Sequence, residues 1–447
     1  MYNTHYLEQQ AKLYREELLE EAYRERLLDR VRERNRQERF PGHAIVIGSS
    51  IAGLTAANVL ADHVAHVTII DRDHLPTTPS YRSGVPQCRH GHVLLAEGQI
   101  LLEQQFPGLA DELLAHGAVA VDLATENASF SRGRRMTPDY RSSFPSISSS
   151  RPLLETTLYQ RVAAHPRVRV LQGHDAVGLS VDDEGIYVTG VHLRDRSASE
   201  STEQHLAGDL VIDASGRRSR APLWLASLGY TPPQETTVNA FSGYTTRLYQ
   251  RPGMLDVDWK KLYVAPTPPD QTCGGAIVPI EEDRWYVMLI GMAGDFPPTD
   301  EAGFLAFARS LHTQALYEAI KDARPLSKPY GYRHAVNRVR HYDKLPRYLE
   351  GFLVLGDAAY APNPVYSQGM TMAAVGSRAL DRTLKAQHRQ LAAGQIQGLA
   401  KRFHKQLSRD MKPLWQQAIM QDQEWPTTEV VESGLPAQLR PAEIGAL

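Results

Sequence analysis

Two strand-to-helix turns, about 300 residues apart, constrain this chain more than any other feature. In the first, apolar Ala44-Ile45-Val46-Ile47 runs into Gly48-Ser49-Ser50-Ile51-Ala52-Gly53 and then into the helix-forming stretch Leu54 to Leu60. A turn of this kind aims backbone N–H groups and the positive end of a helix dipole at a diphosphate. Gly48 permits the sharp reversal and Gly53 lets the helix pack closely on the strand. Ser50 stands where the middle glycine is usual, and Ile51 and Ala52 complete the turn. About 20 residues on, Val67 to Asp71 reads as a second strand ending in an acid, followed by Arg72, and Asp71 is placed to accept hydrogen bonds from a ribose. In the second turn, Phe352-Leu353-Val354-Leu355 ends in Gly356-Asp357, a proline-rich loop through Pro364 and Tyr366 follows, and Gly369-Met370 opens another helix. An acid at a strand end beside a fresh helix N-terminus suits a polyol chain and an electron-rich ring carbonyl. A domain that bound NAD alone would have no use for it.

Between the two turns lies Asp209 to Arg220, with Asp213 and Gly216 at its centre. Together the three segments resemble the fingerprints of FAD-dependent monooxygenases related to para-hydroxybenzoate hydroxylase. Arg82 to Gln87, His90-Gly91-His92, Ser150 to Glu155 and Gly294 to Pro298 are similar to segments of a bacterial subgroup that includes the polyene epoxidases of polyether biosynthesis. The likeness runs from about residue 43 to about 385 in the family's order, and several ordered motifs weigh more than one glycine turn.

The resemblance implies an α/β fold: a Rossmann-like FAD-binding domain with an inserted antiparallel β-sheet substrate domain and helical termini. It implies that Asp357 holds a ribityl hydroxyl, that Pro364 shapes the loop facing the ring, and that N–H groups near Gly369 and Met370 stabilise charge on reduced flavin. Arg151 matches a position that contacts the cofactor, although a surface ion pair is an equally ordinary fate for it. Arg82, Gln87, His90 and His92 fall in the segment that lies, in the subgroup, near the cofactor and the edge of the active site. One departure is serious. Simple hydroxylases read Ala-Asp-Gly where this chain reads Ala214-Ser215-Gly216, and in them that acid serves both FAD and NADPH. The reductant is therefore open between NAD(P)H and a separate flavin reductase, with O2 as co-substrate.

Composition narrows the class. At 447 residues the chain is long enough for two or three interleaved domains. A net charge of -2 and a pI near 6.8 give no general attraction to nucleic acid or to an anionic membrane. Two cysteines cannot build a disulfide framework, and no run approaches the ~20 apolar residues of a membrane span, so a cytoplasmic protein is expected. Cys88, His90 and His92 alternate as if on one strand face, but no fourth ligand is spaced nearby, and metal is not expected.

Residues 4 to 39 are dense in Glu and Arg, lack Gly and Pro, and stop at Pro41-Gly42, which predicts one long helix with a thin apolar stripe. It is expected to lie across its own protein, with dimer pairing or docking to a partner as alternatives, and oligomeric state stays open. The flavin domain is expected from 42–125, 145–230 and 345–390, and a substrate-binding sheet from 126–144 and 231–344. Residues 391–447 are expected to be helical. Period-two segments such as Trp285 to Ile290 support the sheet, and Phe241, Tyr244, Trp285, Tyr286 and Met288 are candidates to wall its cavity or simply to form its core.

The reaction expected from the resemblance is insertion of one oxygen from O2 into a hydrophobic natural-product intermediate, by epoxidation or hydroxylation through a flavin hydroperoxide. The catalysis is centred on the cofactor, with Gln87, His90, Pro364 and Tyr366 as neighbours of the ring. Reduction of isoprenoid double bonds is the alternative on the same fold, and a non-enzymatic flavin-bearing assembly partner is a remote one. Halogenation is disfavoured, because the five tryptophans lie at 224, 259, 285, 415 and 425 and no Trp-x-Trp-x-Ile-Pro segment exists.

Overall fold

The computed structural model describes residues 40–137, 144–197, 203–253, 256–390 and 395–433. The helix expected over residues 4 to 39 lies outside them. A five-stranded parallel sheet has the order Phe352–Val354, Leu210–Asp213, Phe40–Ile47, Val64–Asp71, Val168–Gln172. Four of its strands are largely apolar and buried, as a parallel sheet with covered faces requires, and the edge strand Val168–Gln172 is only partly buried. Helix α1 (Ile51–His63) follows the central strand and packs against α3 (Gly369–Gln390), which follows the edge strand. Helix α2 (Arg151–Ala163) is started by Ser150, whose hydroxyl accepts the Leu153 N–H at 3.2 Å, with Pro152 in the first turn. A three-stranded antiparallel sheet, His174–Val181, Val188–Asp195 and Glu203–Ala207, leaves this domain as a satellite.

The second large sheet is built on one long strand, Glu235–Gln250. It pairs antiparallel with Arg284–Gly291 on one side and Tyr330–Arg340 on the other. Cys273–Ile280, Lys261–Val264, Asn127–Ser131 and Arg134–Met136 extend it outward. The sheet is mixed rather than purely antiparallel, since Lys261–Val264 runs parallel to Asn127–Ser131. The chain between those strands passes through much of the flavin domain, which is more than the long crossover a parallel pair demands.

The chain is also not helical to the end of the described region. Helix α4 (Leu399–Gln423) stops just before Trp425-Pro426, and Glu429–Ser433 then pairs antiparallel with Glu235–Asn239. Proline halts the helix, and Glu429-Val430-Val431-Glu432 carries a strand-forming β-branched pair at its centre.

Buried arginines join the two sheets. Arg340 is 1 % exposed, pairs with Glu235 at 3.1 Å, and donates to the carbonyls of Ser219 (3.2 Å) and Ala358 (3.4 Å) in the flavin domain. Removing one partner of such a buried pair strands the other charge. Arg340→Met should therefore cost about 3 kcal/mol in urea unfolding. Arg135→Met, which breaks the exposed pair with Asp258, should leave the midpoint unmoved.

Candidate active site

Three loops leave the carboxyl edge of the parallel sheet side by side. Ile47 is in register with Asp213, and Asp213 with Val354, so the turns at Gly48, Ala214 and Gly356 start from neighbouring strand ends. Gly48 has φ +99°, and a Cβ there would stand 2.7 Å from the Ala214 carbonyl oxygen. A Cβ at Gly53 would stand 1.8 Å from the Gly48 carbonyl, and one at Gly356, φ +62°, would meet the Ala52 methyl at 2.7 Å. These glycines permit a contact between the two distant turns that any side chain would prevent.

The N-terminus of α1 carries no acid in its first turn and no side-chain cap, so the N–H groups of Ile51, Ala52 and Gly53 stay available for an anion. Ser50 donates its hydroxyl to Glu155 instead and accepts from Arg151 at 2.8 Å. Arg151 is 8 % exposed and forms an i,i+4 pair with Glu155 at 2.9 Å, so it is neither free nor on the surface. Arg82 reaches Asp71 and Asp73 at 3.3 Å and Glu155 at 3.5 Å. Burial alone would lower the Arg82 pKa, but Glu155, Asp71 and Asp73 outweigh it and raise it. Burial likewise opposes ionisation of Glu155, yet Arg151, Arg82 and the Ser50 hydroxyl hold its carboxyl below the usual range. Asp71 accepts the Ser49 N–H at 2.9 Å and hydroxyl at 2.5 Å, so the strand-end acid fixes the glycine turn. Arg72, beside it, is exposed.

At the second turn Asp357 faces Arg217 at 3.8 Å and keeps 38 % of its side chain open. Arg217 also binds the Pro362 carbonyl, and Arg338 donates to the Arg217 carbonyl at 2.7 Å. The short turn Pro364–Tyr366 ends at Ser367 with φ +56°, and Gly369 and Met370 open α3. Gln368 Oε1 and Thr371 Oγ1, at the mouth of that helix, are buried with no hydrogen-bond partner among the described residues. A recess there is lined by His92, Leu94, Ser150, Arg151 and Met370. Another is lined by Ser49, Arg82, Glu155 and Tyr159. Two unblocked helix starts, glycine-cleared turns, orphaned polar atoms and flanking arginines fit a dinucleotide carrying a polar ring system.

Three expected residues are placed otherwise. Asp213 is fully buried, and its oxygens accept the Ser215 N–H (2.9 Å), the Ser215 hydroxyl (2.5 Å) and the Ser219 hydroxyl (2.5 Å). It shapes its own turn from a fully buried position, while Gly216 faces open space with φ +83°. Gln87 is exposed and caps its short turn through its backbone carbonyl, at 3.0 Å from the His90 N–H. Trp285 packs with Trp259 and Phe304 on the far side of the large sheet, under the helices Glu301–Ser310 and Ala315–Ile320. The strand period of two puts it opposite its neighbour Tyr286.

Tyr244, Tyr286 and Met288 do face the flavin domain. His90 is bonded to Thr246 Oγ1 at 2.9 Å and stands edge-on to Tyr244 at 4.8 Å. Tyr286 donates to the Cys88 carbonyl at 3.2 Å, and a Cβ on Gly91 would stand 2.9 Å from the Met288 sulfur. Phe241 sits at the bulge of the long strand with φ +49°, half-buried. Burial, helped by Arg89, lowers His90 to about 4, and burial with Arg151 lowers His92 to about 3. Both rings are neutral at neutral pH.

Glu155, Asp73, Arg217 and Arg338 belong to the site although the sequence reading did not single them out. The i,i+4 spacing of Arg151 and Glu155 on a capped helix was the available signal. Arg338-Val339-Arg340 alternates like an edge strand, and nothing in it announces a buried double arginine.

A family model described as an FAD binding domain matches residues 43–397. "Protein Rv3254" of Mycobacterium tuberculosis (strain ATCC 25618 / H37Rv) is 32% identical over 382 residues, covering 83% of this chain and 78% of that one. Among solved structures, PqsL, a probable FAD-dependent monooxygenase from Pseudomonas aeruginosa, superposes with a TM-score of 0.60 at 16% identity, covering 86% of this chain and 95% of that one. The myxobacterial chondrochloren halogenase CndH gives 0.62 at 16%, covering 84% and 81%. CmlS, a flavin-dependent halogenase, gives 0.60 at 17%, covering 85% of this chain, which spans 63% of the length of that one. At such identities the structural likeness is one of fold. Family match and site geometry agree: the chain belongs to the FAD binding domain family and is an FAD-dependent enzyme.

Proposed function

We propose that this enzyme inserts one oxygen atom from O2 into a hydrophobic small molecule, with an alkene favoured over a phenol as the reacting group. Reduced FAD supplies the activation of dioxygen. The N–H groups at Ile51 to Gly53, with Arg82 and Arg151, hold the diphosphate, and Asp357 and the start of α3 hold the polyol and ring. The large sheet adds a wall of Tyr244, Tyr263, Met288, Ile290 and Met292 opposite the Pro364–Tyr366 loop. Its role is to keep water away and to seat an apolar substrate against the ring.

The observation that carries this reading is the chemistry of the groups His90, His92, Tyr244 and Tyr286. Burial holds both imidazoles neutral and raises both phenols above their ordinary value. A histidine at about 4 is a poor proton acceptor at neutral pH, so a phenol would find no effective base there. An alkene needs none. The epoxidase likeness of the sequence points the same way. The relative PqsL has been obtained in complex with 2-aminobenzoylacetate, a small organic acid. Electrons come from NAD(P)H or a separate flavin reductase.

Two outcomes follow. Gly48→Asp and Asp357→Ala should purify folded but with FAD content down about tenfold, read from visible absorbance against protein. Stoichiometric FAD in both would move the site elsewhere. With wild-type protein, single turnover of photoreduced enzyme with 18O2 and a panel of polyenes, terpenoids and phenols should give a product heavier by one labelled oxygen. Product formed without oxygen would establish double-bond reduction instead.

A further inference from the structure

The geometry points to Asp422 as a positioning residue that latches the proline-rich active-site loop, the segment it launches closing the substrate side of the chamber. The inference rests on the reading of that loop as the one facing the flavin. Asp422 lies in the last turn of α4, beyond residue 397 where the family match ends. It is fully buried. Its Oδ1 accepts the Tyr366 hydroxyl at 2.5 Å and the Asn363 amide at 3.3 Å, and its Oδ2 accepts the Asn337 amide at 2.7 Å. Asn363, also fully buried, donates to Ser242 at 2.8 Å, and its N–H donates to the Asn337 side chain at 2.7 Å. One carboxylate thus ties the loop directly to Asn337 of Tyr330–Arg340 and, through Asn363, to Ser242 of the long strand.

An acid at a helix C-terminus meets the negative end of the dipole, so helix stability does not explain this residue. What it launches does have a place. Trp425, 4 % exposed, packs among Tyr244, Ile290 and Met292 with Val365 of the loop against the same cluster. The strand Glu429–Ser433 then locks the segment onto the sheet. A second tether runs from Gln368 to Gln417 at 3.3 Å.

Burial raises Asp422 to about 6, against the lowering effect of its bonds from Tyr366, Asn337 and Asn363. Tyr366 is the titratable group in contact, and Tyr263 of the sheet and Glu424 of the same helix end act on that phenol. The central strands contribute neutral groups, Asn337 and Ser242. A folded pKa above the unfolded value means the acid form favours folding: that contribution is full below about 3.8 and lost as pH rises through about 6. Ionisation tightens the bonds that the carboxylate accepts from the loop.

The test is the visible spectrum of bound FAD in the purified holoenzyme from pH 5 to 8. Wild type should show a transition with a midpoint near 6. Asp422→Asn should lose it while keeping its FAD. Tyr366→Phe should move it up by about one pH unit, because it removes a bond that favours the anion. A flat wild-type profile, an unchanged midpoint in Asp422→Asn, or, if that variant fails to fold, an unshifted midpoint in Tyr366→Phe overturns the latch. A normal titration with no oxygenated product would refute oxygen insertion and leave the latch standing.

Discussion

The site depends on strand register. Because Ile47, Asp213 and Val354 stand level at one edge of a parallel sheet, segments separated by about 300 residues meet within contact distance of Gly48 and Gly356. The central position of Phe40–Ile47 places that edge where the order of connections reverses, which is where open parallel sheets bind ligands. A slip of one residue would separate the turns, so fold and cofactor site are specified by the same hydrogen bonds.

Charge is distributed to match. On the diphosphate side, Arg82 and Arg151 are held by Asp71, Asp73 and Glu155 in a network with few open surfaces. On the polyol side, Arg217 and Arg338 outnumber the nearby Asp357, while Glu235 is shared with Arg340. Burial lowers Arg338 to about 10, with Arg340 beside it acting the same way, which still leaves it charged at neutral pH. The sheet wall across from these arginines has phenols, and the neutral imidazoles of His90 and His92 lie against it. Charged and neutral groups are thereby sorted to opposite sides of one loop.

The glycine turn, the Gly-Asp segment and the period-two sheet could be read from the sequence because each is a local pattern with a local cause: backbone freedom, strand alternation, helix starts. Which face of an alternating strand looks at the cofactor could not, because alternation defines two faces and does not label them. Trp285 and Tyr286 are adjacent and end in different cores. Asp213 could not be distinguished from a ligand-binding acid, since its three donors come from serines whose hydroxyls are aimed only by the folded turn. Asp422 and Arg340 were invisible for the same reason: a buried charge is recognised by its partners, and the side-chain partners lie 56 to 105 residues away.

The turn at Asp213 bears on how the enzyme is reduced. In simple hydroxylases an acid follows the alanine, but here Ser215 stands in that place and turns its hydroxyl back onto Asp213 at 2.5 Å. Donating that hydrogen leaves the Ser215 oxygen able to accept but gives it no carboxylate charge, and Asp213 itself is fully buried. The neighbouring Arg217 is engaged with Pro362 and Asp357, so it is not a free anchor for a nicotinamide dinucleotide either. At this segment Asp213 and Arg217 are thus spent on holding the loops together, while Ser215, Arg218 and Arg220 stay exposed.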